Sequence, residues 1–491
     1  MKTESSHIVH KLIVEVETNS KEKGYALKDD AAGFVSGSLS PALEELFEEL
    51  EKKLNGRVLT LDHLSITISA KTTDLTHGDL ERMISAAIRE EIKTSIPVIP
   101  ESAFAHVPET TNGQTPLSTQ DTESPKHLVS AARRQLQSVF HFLKTGTKPW
   151  WIPNNAALSK LMETSNLLEL ASTDTETLIQ ELQSGVQGTF VKRMLFQLPE
   201  SVLIEWFARA FHFPAEPPRQ QKKTASFESL ETKEKWWKML LKAFGESRQR
   251  GIVSEAVTEQ LIVLLTRKEI KELQAAIQCV STITGQEISP DREKKLKSIL
   301  ENSAGKKAIE VEEKAEPVKK ANPKEVVDLY EPVEHAGLIL LHPFLKPFLT
   351  EIGLLKDDQL SDPELVVHVL HFLATGHESA WEFELQFEKF LCGIPPDEPI
   401  QQERFISEAI KEEAGKLIAA VLEHWTALKS DSPDLLRYEF LQREAKIIIE
   451  EYQSTRLVFE RKAQDILLEK LPWNLGIVKI DWREDLLFVE W

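Results

Sequence analysis

Three histidines fall within ten residues of one another, at His368, His371 and His377, with His335 and His342 upstream. Imidazoles that converge on one point at about 2 Å bind zinc or iron, so this spacing raises metal-assisted hydrolysis as one chemistry to weigh. His368 and His371 stand three residues apart, which puts them on the same helix face. The spacing lacks the glutamate of an HExxH motif. The octapeptide VLHFLATG (369–376) also echoes VFHFLKTG (139–146) at six of eight positions. His371 therefore reads as part of a recurring helix corner closed by Gly376, its imidazole hydrogen-bonded to backbone. Asp397, Glu398, Glu439 and Glu444 lie in Glu-rich helical stretches and read as solvated faces rather than as an acid/base pair. No GxSxG, Walker or GxGxxG motif occurs. No catalytic residue, cofactor site or metal ligand is assigned.

Tryptophan is the more informative residue type. Trp150, Trp151, Trp425, Trp473, Trp482 and Trp491 cluster at Pro- or Gly-containing corners and at the last position of the sequence. Each offers a large apolar face and one N–H donor, suited to a helix corner or to an interface hot spot. Pro395–Pro396 marks a further rigid corner in CGIPPDEPI (392–400). With His371 and Gly376, these are the candidate structural and interaction residues.

The elements that must position them are mainly α with small β elements. In a module spanning 1–96, Leu12, Val14 and Val16 alternate with Ile13, Glu15 and Glu17 as a strand. A helix then runs from Ser40–Pro41 to Asn55–Gly56 with Leu43, Leu46, Phe47, Leu50 and Leu54 on one face. VLTLDHLSITIS (58–69) supplies strand, and a further helix is expected near 80–93. Residues 97–126, rich in Pro, Thr and Ser, read as a flexible linker. A helical module spans 127–285, a charged linker 286–331, and a C-terminal helical module 332–491. In the last module Ser432 and Pro433 start a helix with Leu435, Leu436, Phe440 and Leu441 inward, and Arg437 and Arg443 are placed to pair with Glu439 or Glu444. The module ends in a hairpin made of GIVKI and DLLFVEW.

The net charge of −19 argues against nucleic acid and anionic membrane as partners, since both demand a basic face. Cys279 and Cys392 are too few and too far apart for a disulfide framework or a zinc knuckle and read as small apolar residues. The first residues lack the apolar stretch of a secretory signal, and no run of about 18 apolar residues exists, so a cytoplasmic site of synthesis is expected.

Several segments carry a family resemblance: AGLILLHPFL (336–345), HFLATG (371–376), LCGIPPDEP (391–399), HWTALK (424–429), FLQREAK (440–446), LPW (471–473) and FVEW (488–491). Together they resemble the contractile injection system tape measure family. The corner TGTKPWW (145–151) and the N-terminal strand–helix–strand are similar as well. The resemblance implies a structural or assembly role in a phage-tail-like particle, with tail-tube and baseplate proteins as partners and self-association compatible with it. It brings no catalytic residue. Three functions follow as alternatives: a tape measure or internal adaptor, an assembly chaperone absent from the mature particle, and a metal-dependent hydrolase using His368, His371 and His377. The 19 glycines and 24 prolines break the chain into short helices, unlike an extended ruler.

Overall fold

The computed structural model describes residues 128–184, 188–210, 230–250, 328–449 and 455–491. It also describes 7–10, 12–13, 25, 33–54, 57–61, 64, 82–88, and the isolated positions 277, 290–291, 293–294 and 297–298. The fold is mainly α with small sheets. Backbone packing divides the chain into Met1–Gln135 and Leu136–Trp491.

In the first unit, helix α1 (Ser40–Leu54) continues without a break from a π-helical stretch, Val35–Leu39. Ser40 has helical dihedrals, so the helix starts upstream of it and Ser40 is not the cap the sequence suggested. The expected apolar face is in place: Leu43 and Leu46 are buried with Phe34, Leu39 and Ile88, and Phe47 and Leu50 pack against them. Strand β1 (Arg57–Leu59) pairs antiparallel with β2 (Leu128–Ser130), which corrects the expectation of helix at the start of 127–285. The expected N-terminal strand, the Asn55–Gly56 stop, most of 58–69 and the 97–126 segment lie wholly or largely outside the described residues.

The second unit opens with helices whose lengths follow their apolar periodicity. They are α2 (Ala131–Thr145, which begins in the first unit), α3 (Asn155–Leu161), α4 (Thr164–Thr173), α5 (Thr175–Ser184), α6 (Phe190–Gln197), α7 (Glu200–Ala210) and α8 (Leu230–Arg250). Asn154 caps α3 by accepting from Ala157 N–H at 2.9 Å, and Asp174 accepts from Thr177 N–H at the start of α5. Their shared interior is aromatic: Phe140, Phe190, Trp206, Phe207, Trp236 and Trp237 are all buried, and Phe140 stacks on both Phe190 and Trp206.

From residue 336 onward the helices enclose a second apolar interior. Helix α9 (His342–Glu351) follows a 3-10 segment Ala336–Leu341, all six residues of which are buried. A two-strand ribbon, β4 (Leu355–Lys356) with β5 (Gln359–Leu360), leads into α10 (Pro363–Thr375). The ends of α10 are chemically marked. Asp362 accepts from Leu365 N–H, Pro363 occupies the first turn, and Gly376 closes the helix in the left-handed region at φ +79°. Then come α11 (Gln386–Leu391), α12 (Glu408–His424) and α13 (Pro433–Leu436), the last capped by Ser432 as expected and continued by a π-helical turn, Arg437–Leu441. Of its four predicted inward residues, Leu436, Phe440 and Leu441 are buried but Leu435 is exposed, because the π turn rotates the face.

A five-stranded sheet completes the unit. With β3 (Asp328–Val333), β6 (Ala445–Ile449), β7 (Thr455–Phe459), β8 (Ile477–Lys479) and β9 (Leu486–Glu490), its order is β3-β6-β7-β9-β8. The expected hairpin is present as β8–β9. The expectation of an otherwise helical module is corrected: AKIII and TRLVF form strands, as their β-branched runs allow, and β9 also pairs parallel to β7.

Candidate functional site

The sequence echo is a geometric repeat. In both copies a glycine closes the helix with positive φ, +82° at Gly146 and +79° at Gly376. Its N–H reaches back to Phe142 O at 2.7 Å or Phe372 O at 2.8 Å. The preceding threonine hydroxyl donates to the histidine carbonyl one turn earlier: Thr145 to His141 at 2.9 Å, Thr375 to His371 at 2.8 Å. That hydroxyl then accepts from the backbone N–H of Thr147 or His377. The residues flanking each corner differ, and with them the chemistry.

Against the first corner lies a fully buried ion network. Arg193 on α6 donates from Nε to Glu382 Oε2 at 2.9 Å, from Nη1 to Leu143 O at 3.0 Å and from Nη2 to Asp397 O at 2.5 Å. Lys389 on α11 directs its three donors to Glu382 Oε1 at 3.0 Å, Pro396 O at 2.7 Å and Glu398 O at 2.7 Å. All three side chains are fully buried. Two cations thus share one carboxylate, and four backbone carbonyls supply the remaining acceptors. Burial pulls the Lys389 ammonium below its ordinary range, with Glu382 opposing. Gly146 sits against this network: a Cβ there would lie 2.6 Å from Glu382 Oε1 and 2.9 Å from Pro396 O. Gln386 donates to Gly146 O at 3.0 Å, and Gln197 donates to Ile400 O at 2.9 Å. At the Pro395–Pro396 corner the Pro396 carbonyl faces the buried lysine, while the Pro395 carbonyl accepts from Glu398 N–H at 3.1 Å.

At the second corner Arg437 donates to Leu373 O at 3.1 Å and Gln442 to Ala374 O at 3.1 Å, so side chains satisfy the last carbonyls of α10. These replace the partners Glu439 and Glu444 expected for Arg437. Arg443 likewise pairs elsewhere, in a buried bidentate contact with Asp465 at 2.6 and 3.1 Å, and it lies over the Trp491 ring.

The histidines resolve differently from their sequence spacing. His371 meets His335 and Glu388, and all three are buried with their potential ligand atoms within 4.8 Å of one another. His335 Nδ1 lies 2.8 Å from Glu388 Oε1, His371 Nδ1 lies 3.6 Å from the same oxygen, and the two rings are 5.1 Å apart. Among the described residues, His371 Nδ1 and Glu388 Oε2 are buried without a hydrogen-bond partner. Burial opposes ionisation of Glu388, but the two imidazoles outweigh it and hold the carboxyl at about 2. Burial likewise opposes protonation of His335, and Glu388 reverses that, leaving its pKa raised. His368 is buried one turn before His371 and is pushed down to about 4 by burial, with His371 and Arg404 adding to the effect. His377 is exposed and stands apart from the group. Sequence spacing missed Glu388 because it lies on another helix, and missed His335 because its role depends on a left-handed backbone at φ +58°.

Four of the six tryptophans direct their N–H groups inward. Trp151 donates to Ser138 Oγ at 2.7 Å and packs edge-on against Trp150 and His141. Trp425 donates to Leu467 O, Trp473 to Leu340 O and Trp482 to Leu391 O, at 3.2, 3.1 and 2.9 Å. Trp491 stacks on Phe459 with ring centroids 3.8 Å apart. Only Trp425 is fully buried; the other five keep part of their surface open. Cys392 is buried beside Glu388, burial pushing its thiol up, while Cys279 lies outside the described residues.

No curated relative and no solved structure matches the chain. The model of one family, described as contractile injection system tape measure protein, matches residues 6–491. With nearly the whole length matched, the chain belongs to the contractile injection system tape measure protein family.

Proposed function

We propose that within a contractile injection system this chain works as a folded adaptor engaging tube and baseplate subunits, rather than as a stretched ruler. The Arg193–Glu382–Lys389 network carries this reading. It ties α2 and α6 to residues 382–398 through fully buried charges, so extending 136–491 requires dismantling it. Removing one member of such a network costs about 3–5 kcal/mol. A single helix of the whole sequence would span about 740 Å at 1.5 Å per residue, whereas here the longest described helix is α8, with 21 residues. The partly open tryptophans at corners suit contacts with neighbouring subunits. Among the described residues no helix is long and apolar enough to cross a membrane.

The test is to lengthen segments 97–126 and 301–327 with added linker and measure tube length by electron microscopy, with mass spectrometry of purified particles. An adaptor leaves tube length unchanged and is found in the particle. Tubes that grow with each added residue overturn the reading in favour of a ruler, and absence of the chain from intact particles overturns it in favour of an assembly chaperone.

A further inference from the structure

We propose that His335, His371 and Glu388 form a structural site for one divalent transition-metal ion, zinc by preference. The geometry fits. Tetrahedral zinc with ligands at about 2.0–2.1 Å places neighbouring ligand atoms about 3.3 Å apart. Two of the three separations bracket that value, at 2.8 Å for His335 Nδ1 to Glu388 Oε1 and 3.6 Å for His371 Nδ1 to the same oxygen, and all three ligand atoms lie within 4.8 Å of one another. Two imidazoles with one carboxylate are a recurrent zinc donor set.

A second, independent observation points to a ligand. Buried polar atoms are normally satisfied, and an orphan costs about 1–3 kcal/mol. Among the described residues two are orphaned in this cluster: Nδ1 of His371, which is 4% exposed, and Oε2 of Glu388, which is fully buried. A bound cation gives the imidazole nitrogen the electron-pair acceptor it lacks and binds the carboxylate through either oxygen. A water completes the coordination. The site is enclosed, so the ion enters during folding, and its effect is to pin the left-handed turn at His335 to α10 and α11.

The test uses the full chain produced in zinc-supplemented medium, with metal content measured by plasma mass spectrometry. About one zinc per chain is expected. Glu388→Gln, which preserves shape, and His371→Ala are each expected to lower this at least tenfold. His377→Ala, at an exposed position outside the group, is expected to leave it unchanged. Should His371→Ala fail to fold, wild-type chain refolded with cobalt(II) keeps the test decisive, since four-coordinate cobalt gives strong visible bands that zinc then bleaches. Wild-type protein without zinc and without cobalt bands overturns the proposal. So does zinc retained undiminished in Glu388→Gln, which would locate the ion elsewhere.

Discussion

Two corners built from nearly the same eight residues behave as different objects. At 139–146 and 369–376 the backbone follows one plan: a positive-φ glycine, a threonine hydroxyl bonded back to the histidine carbonyl, and a buried Val and Leu on the inward face. The first is locked by a buried ion network pressed against its glycine. The second is held by Arg437 and Gln442 capping the helix, with its histidine turned toward Glu388. A short motif therefore fixes a local path, while residues far away in sequence decide what the corner does. His141 makes the point directly. It occupies the position of His371, yet it packs edge-on against Trp151, and burial with Lys144 nearby lowers its pKa.

The largest break in this comparison is expected at the second corner through Gly337→Ala. The added carbon would lie 1.7 Å from the carbonyl oxygen of Phe440, in the π turn that carries Arg437 and abuts Gln442. No side chain can yield there, so a loss above about 4 kcal/mol, or failure to fold, is expected in urea denaturation. Next, Arg193→Met strips the first corner of its guanidinium and leaves the carbonyls of Leu143 and Asp397 unsatisfied. It should cost about 3–5 kcal/mol, read as a lower urea midpoint. A finer contrast comes from the two glycines. Gly376→Ala meets only the flexible Arg437 guanidinium at 3.4 Å and bears mainly the left-handed penalty of about 1–2 kcal/mol. Gly146→Ala adds a clash with Glu382 and Pro396, so its loss should exceed that of Gly376→Ala by about 1 kcal/mol or more. The smallest effect tests the shared plan: Thr145→Val and Thr375→Val should each cost about 1 kcal/mol and match within error. Unequal losses would show that the hydroxyls play different parts.

Acid provides a control away from both corners. Burial opposes ionisation of Asp465, but hydrogen bonds from Arg443 and the Lys462 backbone prevail and hold its carboxyl below the usual range. A depressed folded pKa gives stability that is present above the unfolded value of 3.8 and lost as pH falls through the folded one. Wild-type stability should therefore fall more steeply below about pH 4 than that of Asp465→Asn, measured by urea midpoints across that range.

Much of this was legible in the residues. The helices of 131–210, the capping Ser432, the apolar face of α1 and the echo all follow from periodicity and end signals that act within one or two turns. The strands β6 and β7 escaped because AKIII and TRLVF, at five residues each, are too short for alternation to separate strand from helix. The partners of Arg193, Lys389 and His335 escaped for a different reason. Their contacts join residues 7 to 204 positions apart, through turns whose geometry no local spacing encodes. Arg443, expected to pair with Glu439 or Glu444, instead finds its carboxylate 22 positions on, at Asp465.

The reach of the ion network also sets a clock. Glu382 is made 189 residues after Arg193. At a synthesis rate of about 5–20 residues per second, that is an interval of about 10–40 s. Throughout it the arginine and the end of α2 have neither their carboxylate nor the lysine that shares it. The helices already emerged can collapse on their aromatic interior, but the face that receives residues 382–400 stays open to chaperones and to water. That face is then shut late and all at once, when translation delivers the segment that covers it.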